Sequence, residues 1–269
     1  MKNDSLALFG HYSKHIMKAW FQYKVDACLR SLAVFLRESA GIIVIYMMLL
    51  KFDSINGWTR DELLFLFSFI FLTYGIFILF FTGFRDFPKL VNKGTFDRFM
   101  LRPRGLVFQV IASNADWFAA IGHGGLGICL FIFSASRLTI EWSLGLGIYC
   151  FFTILGGVLI QGAIFLFLAS LSFSLIETGN LKSLLFWNTR KFAGYPISIF
   201  HSSIQFLLTF VVPFAFVNYF PAQFLLRKPD LAEFPLFFIY IAPLVGPILY
   251  ILSYAYWRFS LRFYKSTGS

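Results

Sequence analysis

Charged residues divide this chain into apolar runs of bilayer length. Between consecutive charges lie 22 uncharged positions from Leu63 to Phe84, 20 from Trp117 to Ser136 and 35 from Trp142 to Ile176. Two more follow, 35 from Phe192 to Leu226 and 24 from Phe234 to Trp257. Each exceeds the ~18 residues that a helix needs to cross the hydrocarbon. A sixth stretch, Ser31 to Leu50, is 20 residues long but contains Arg37 and Glu38. The 12 positions after Glu38 reach only about 18 Å at 1.5 Å per residue. This helix therefore has to begin near Ser31, with Arg37 and Glu38 in its first turns, where a long side chain reaches headgroups or a partner chain. The pattern predicts an all-α, polytopic membrane protein with six transmembrane helices, at about 31–50, 63–84, 115–136, 143–172, 199–219 and 234–257.

The flanking segments have their own patterns. From Tyr12 to Cys28 the polar residues Lys14, Lys18, Gln22 and Asp26 recur every four positions opposite Ile16, Met17, Trp20 and Phe21. That spacing predicts an amphipathic elbow helix on the inner leaflet within a cytosolic N-terminal segment, 1–30, with a longer first transmembrane helix as the alternative. Met1–Trp20 has no apolar core followed by a small-residue cleavage site, so no cleaved leader is expected. The run from Phe192 is too long for one helix and contains Pro196, Pro213 and Pro221. It divides into a cytosolic approach ending near Pro196, a span over 199–219 and a re-entrant stretch, Phe220 to Leu226, before the last helix. Pro243, Gly246 and Pro247 predict a kink in that last helix, and Gly156, Gly157 and Gly162 predict close helix approach in the fourth.

The loop 85–104 carries six basic and two acidic residues interleaved with Phe87, Leu90, Val91, Phe96, Phe99 and Leu101. Pro88 can open a short helix and Gly94 end it, Thr95 and Asp97 offer a second start, and Pro103 closes the segment. So many apolar side chains in a connector predict short helices under the membrane with a docking face for a cytosolic protein; a lipid-binding loop is the alternative.

Composition agrees: 58% of residues are hydrophobic and 13% charged, and the mean hydropathy is +0.74, against about 25% charged in soluble domains. Eighteen of the 23 Lys and Arg residues fall on one side if the N-terminus is cytosolic, which predicts an N-in, C-in topology and a cytosolic tail, 258–269. The net charge of +10 is scattered over short membrane-adjacent segments, so anionic lipid, not nucleic acid, is the expected counter-charge.

Catalytic chemistry is hard to find. His11 and His15 sit in the amphipathic N-terminus, His123 is alone in the third span and His201 begins the fifth, none in a recognisable motif; Cys28, Cys129 and Cys150 never pair at metal spacing, and neither H-E-x-x-H nor G-x-S-x-G occurs. Gly122-His-Gly-Gly-Leu-Gly127 lacks the lysine and hydroxyl residue of a phosphate loop. The charges at membrane depth, Arg37, Glu38, Asp116 and Glu177, all fall near predicted cytosolic helix ends, so no acidic residue is expected at the midplane to couple an ion gradient. No G-x-x-x-x-G-K-[ST] exists to bind a nucleotide, so the energy source is expected on a partner.

Lys93-Gly-Thr-Phe-Asp-Arg-Phe-Met-Leu-Arg-Pro103, Tyr195-Pro-Ile197, Pro213-Phe-Ala-Phe and Tyr219-Phe-Pro-Ala222, together with the order of elements, resemble a bacterial subgroup of type-2 ATP-binding-cassette (ABC-2) permeases. The resemblance implies the permease subunit of an ATP-driven exporter in a bacterial cytoplasmic membrane, not itself an enzyme. It implies a second permease copy or paralogue and two copies of a cytosolic ATPase that carry ATP and magnesium, this chain having no cofactor or metal of its own. In such permeases the loop between spans two and three is the coupling element, which assigns contact with the ATPase to Asp86, Lys89, Leu90, Gly94, Thr95, Phe96, Asp97, Arg98, Leu101, Arg102 and Pro103. Lipids, glycans, peptides and drugs are all substrates within the family. An autonomous secondary carrier or a membrane-embedded lipid-modifying enzyme is the competing reading.

Overall fold

A computed structural model describes Gly10, Lys14, Lys18 and residues 24–51, 54–175, 178–228 and 234–265. The first helix, α1 (Lys24–Leu49), runs unbroken through the expected boundary at 30–31. Most of the expected amphipathic elbow lies outside the described residues; Lys14 and Lys18 are helical and exposed. Because α1 begins at or before Lys24, Arg37 and Glu38 stand at its mid-length and not in its first turns. A two-residue hairpin follows, β1 (Ser54–Ile55) and β2 (Trp58–Thr59), turning through Asn56 and Gly57 at positive φ.

Helix α2 (Arg60–Asn92) is the axis of the bundle. At 33 residues it is roughly 50 Å long, well beyond a ~30 Å hydrocarbon layer, so its last turns project past the membrane. Pro88 lies inside this helix and does not open a new one. The lost hydrogen bond to Phe84 costs about 3 kcal/mol or more, but Phe87 and Val91 are buried on the same extension, and that packing carries the helix through. A short helix α3 (Asp97–Met100), then α4 (Leu106–Ser113), lead into α5 (Trp117–Arg137) and α6 (Leu144–Leu171).

Residues 179–193 depart most from expectation. In place of a cytosolic approach they form a helical rod, α7 (Gly179–Lys182) and α8 (Thr189–Ala193) joined by a π turn at Ser183–Asn188. The rod is inserted beside α2: Phe186 is buried against Tyr74, Phe77 and Phe165, and a Cβ on Gly194 would lie 2.4 Å from the Phe67 ring. The expected span 199–219 is corrected too. It breaks at Val212–Pro213, between α9 (Ser202–Phe206) with its π turn to Val211 and the stretch from Phe214 into α10 (Tyr219–Leu226), with a 73° bend. The break falls seven residues before the expected one, at a proline that lacks an N–H and after Val212 has left the helical region, φ −128°, ψ 83°. The last helix is α11 (Phe237–Ser260).

Among the described residues four helices are long and apolar enough to cross a membrane: Arg60–Asn92, Trp117–Arg137, Leu144–Leu171 and Phe237–Phe263; the bent pair makes a fifth if it is one span. They meet through bare backbone. A Cβ on Gly246 would fall 2.1 Å from the Gly156 carbonyl oxygen, and one on Gly127 would fall 2.4 Å from the Leu72 nitrogen. Pro243 deprives the Ile239 carbonyl of its helical donor, and the Tyr149 hydroxyl on α6 donates to that oxygen instead.

The two ends of the bundle carry separate charge clusters. At one, Lys228 Nζ lies 2.7 Å from Glu62 Oε2 with both side chains largely buried, and Thr59 N–H donates to the same carboxylate at 2.7 Å. Glu62→Ala strips the start of α2 of its acceptor and leaves Lys228 unpaired, so a loss of about 2 kcal/mol is expected in thermal melts. The opposite end holds Arg85, Asp86, Lys89 and the α3 segment.

Candidate functional site

Two regions collect chemistry. The first is a knuckle formed by α3 and the turn after it. Gly94, at φ 66°, reverses the chain after α2, a conformation that costs glycine little. Phe96 is then driven fully into the core against Phe87, Phe173 and Tyr264. Thr95 Oγ1 donates to the Leu90 carbonyl at 3.1 Å. The Tyr264 hydroxyl donates to Asp97 Oδ1 at 2.7 Å, and Gln109 Nε2 on α4 donates to the carbonyls of Phe99 at 3.0 Å and Arg104 at 2.8 Å. With its base held this way, the knuckle exposes Arg98, Met100, Leu101, Arg102, Pro103 and Arg104, Leu101 at 86%.

The eleven residues expected to touch a partner therefore separate. Gly94 and Phe96 are buried and shape the knuckle, and Leu90 and Thr95 are partly buried at its base. Asp86 is an internal staple, reached by Arg85 at 3.2 Å and by Asn114 Nδ2 at 3.1 Å, with Lys89 at 3.8 Å, and Asp97 is held by Tyr264. Lys89, Arg98, Leu101, Arg102 and Pro103 remain exposed. Burial, together with the bond to Asp97, pushes the Tyr264 phenol up from 10.0 to about 12. The phenol donates only while protonated, so its contribution is complete below pH 10.0 and is lost as pH rises through about 12. Tyr264→Phe is expected to cost about 1 kcal/mol at neutral pH and to remove that alkaline loss, as read in melts at both pH values.

The second region is a cavity of about 620 Å³ between α1, α2 and the 179–193 rod. Arg37, Glu38, Trp187, Arg190, Lys191 and Tyr195 line it. The Arg190 guanidinium lies 4.1 Å from the Tyr74 ring centroid and 5.4 Å from that of Phe71, level with the middle of the apolar run 63–84. The sequence pattern assigned Arg190 and Lys191 to a cytosolic loop and gave no sign that Arg190 packs on the aromatic rings of α2. The available signal was the apolar Leu184-Leu-Phe-Trp187 one turn before it.

Of the expected intramembrane charges, Glu38 is gripped by Arg37 through Nε at 3.1 Å and Nη2 at 2.6 Å. Asp116 is buried as the N-cap of α5, accepting from Ala119 N–H at 3.1 Å and pairing with Arg30 at 2.9 Å, a structural arrangement. Glu177 lies outside the described residues. Among those described, no group of three His, Cys, Asp or Glu residues could hold a metal ion, and Cys28, Cys129 and Cys150 are unpaired.

Comparison with known families bears on both regions. The sequence model of the ABC-2 family transporter protein matches residues 35–268, which takes in the knuckle, the cavity and every helix from mid-α1 onward. The chain belongs to the ABC-2 transporter family. No match is found among curated proteins or solved structures. As an ABC-2 permease it is an integral membrane transport subunit of an ABC transporter, a class that works with an ATP-binding subunit.

Proposed function

We propose that this ABC-2 permease is one half of an ATP-driven exporter in a bacterial cytoplasmic membrane, six-spanning with both termini inside, and that two ATPase copies dock on the knuckles of two permease chains. The observation that carries the reading is the exposed Arg98–Arg104 turn on a tethered base, beyond the membrane end of the 33-residue α2. An element so placed moves as one body with α2 and α4, so closure of the ATPases would rock the bundle between inward- and outward-facing states. Leu101 and Met100 supply apolar contact and the arginines charge, the composition of a docking surface. Co-expression with the ATP-binding subunit tests it. Co-purification in detergent and ATP-dependent transport in vesicles are expected. Transport by the purified chain with no ATPase present would instead establish an autonomous carrier.

A further inference from the structure

The cavity at Arg190 adjoins a second one of about 630 Å³, with Lys191 and Tyr195 in the wall of both. The two differ in chemistry. Leu184, Phe192, Ile199 and Phe200 line the second, and Leu184, Phe192 and Ile199 are also exposed on the outer surface of the bundle. The first holds three cations, Arg37, Arg190 and Lys191, against the single carboxylate of Glu38.

That carboxylate does not satisfy Arg190. Arg37 binds Glu38 through two nitrogens, while Nε and Nη2 of Arg190 are shut off from solvent and have no hydrogen-bond partner among the described residues. The aromatic faces of Tyr74 and Phe71 offset part of the cost of a guanidinium at bilayer depth. They leave two donor nitrogens unmet, and the planar fork of an arginine fits a carboxylate or phosphate group. A ligand with one acid group and one apolar chain would fill both cavities at once, entering from the lipid side.

We propose that the paired cavities bind an anionic amphiphile, its acid group against Arg190 with Arg37 and Lys191 nearby, and its chain in the groove of Leu184, Phe192 and Phe200. That this molecule is cargo rests on the permease reading; that it binds does not.

Trp187 in the cavity wall provides the probe. The full chain, purified in neutral detergent, is titrated with dibrominated stearate, whose heavy atoms quench nearby indoles. Saturable quenching is expected, lost in Trp187→Phe, competed by oleate but not by oleyl alcohol or inorganic phosphate. Arg190→Gln is expected to weaken binding about tenfold or more, the loss of one charge-assisted hydrogen bond, with Arg190→Lys intermediate. Glu38→Gln removes the only carboxylate among the described lining residues and is expected to tighten binding several-fold, an effect that a purely structural role for Arg190 would not produce. Equal competition by oleyl alcohol would overturn the proposal, and competition by phosphate alone would replace it with a small-anion site. Wild-type affinity in both Arg190→Gln and Glu38→Gln would also overturn it; if Arg190→Gln does not purify as a single species, Glu38→Gln alone decides. Binding as expected, with no ATP-driven movement of oleate once the ATPase is added, would leave the site standing and remove the cargo reading.

Discussion

Charge reversal at both Arg98 and Arg102 is expected to separate ATP hydrolysis from transport while the permease stays folded. Both side chains are exposed on the knuckle, and neither forms a salt bridge among the described residues. Arg102 lies over the Phe99 ring at 5.7 Å, a contact worth only about 0.5–1 kcal/mol at an exposed site. The fold therefore has little to lose. A docked ATPase has more, because each lost charge-assisted contact costs roughly 1.5–3 kcal/mol and the reversed charge adds repulsion. Two such losses weaken docking by about a hundredfold or more. The measurement is ATPase co-purification and substrate-stimulated hydrolysis in Arg98→Glu/Arg102→Glu, with an unchanged melting temperature as the control. Full coupling in the folded variant would remove the knuckle from the mechanism.

The same element shows what a sequence pattern can and cannot convey about this fold. Apolar run length located α2, α5, α6 and α11, since crossing a bilayer demands some 20 consecutive apolar residues whatever the tertiary structure. The knuckle was legible as basic and turn-rich. Its apolar residues were not assignable from pattern, because Phe87, Val91 and Phe96 face their own core while Met100 and Leu101 face outward, a division set by how α2 extends beyond the membrane. The fifth run failed for a related reason. Pro196, Pro213 and Pro221 mark possible breaks equally well, but only packing around Phe214, Tyr219 and Phe220, all fully buried, decides that the chain turns at Pro213. Arg190 was hidden most completely. Next to Lys191 and a few residues from Lys182 it reads as part of a positive cytosolic loop, and only contact with Phe71 and Tyr74 reveals it as a cation packed against the middle of the apolar run 63–84.

If the knuckle is a lever, its fulcrum is where α4 presses on α2, and Gly83 is the residue at that contact. A Cβ built there would lie 1.9 Å from the Val110 carbonyl oxygen and 2.8 Å from its carbon. Contacts under 3.0 Å are not sustained, so Gly83→Ala forces α4 away by more than 1 Å, against backbone and not against a side chain that could swing aside. Val110 is fully buried, and overpacking of this kind costs about 1–3 kcal/mol. The displacement would not stay local. Gln109, the neighbour of Val110, holds the knuckle through its two bonds to Phe99 and Arg104, so moving α4 stretches the tether that fixes Arg98 and Arg102. Gly83→Ala is therefore expected to lower the melting temperature by several degrees and, in the fraction that remains folded, to reduce substrate-stimulated ATP hydrolysis. Gly125→Ala is the control, because a Cβ on Gly125 meets nothing within 4 Å, and it is expected to leave both unchanged. A Gly83→Ala permease that is destabilised yet fully coupled would show that α4 supports the bundle without positioning the knuckle.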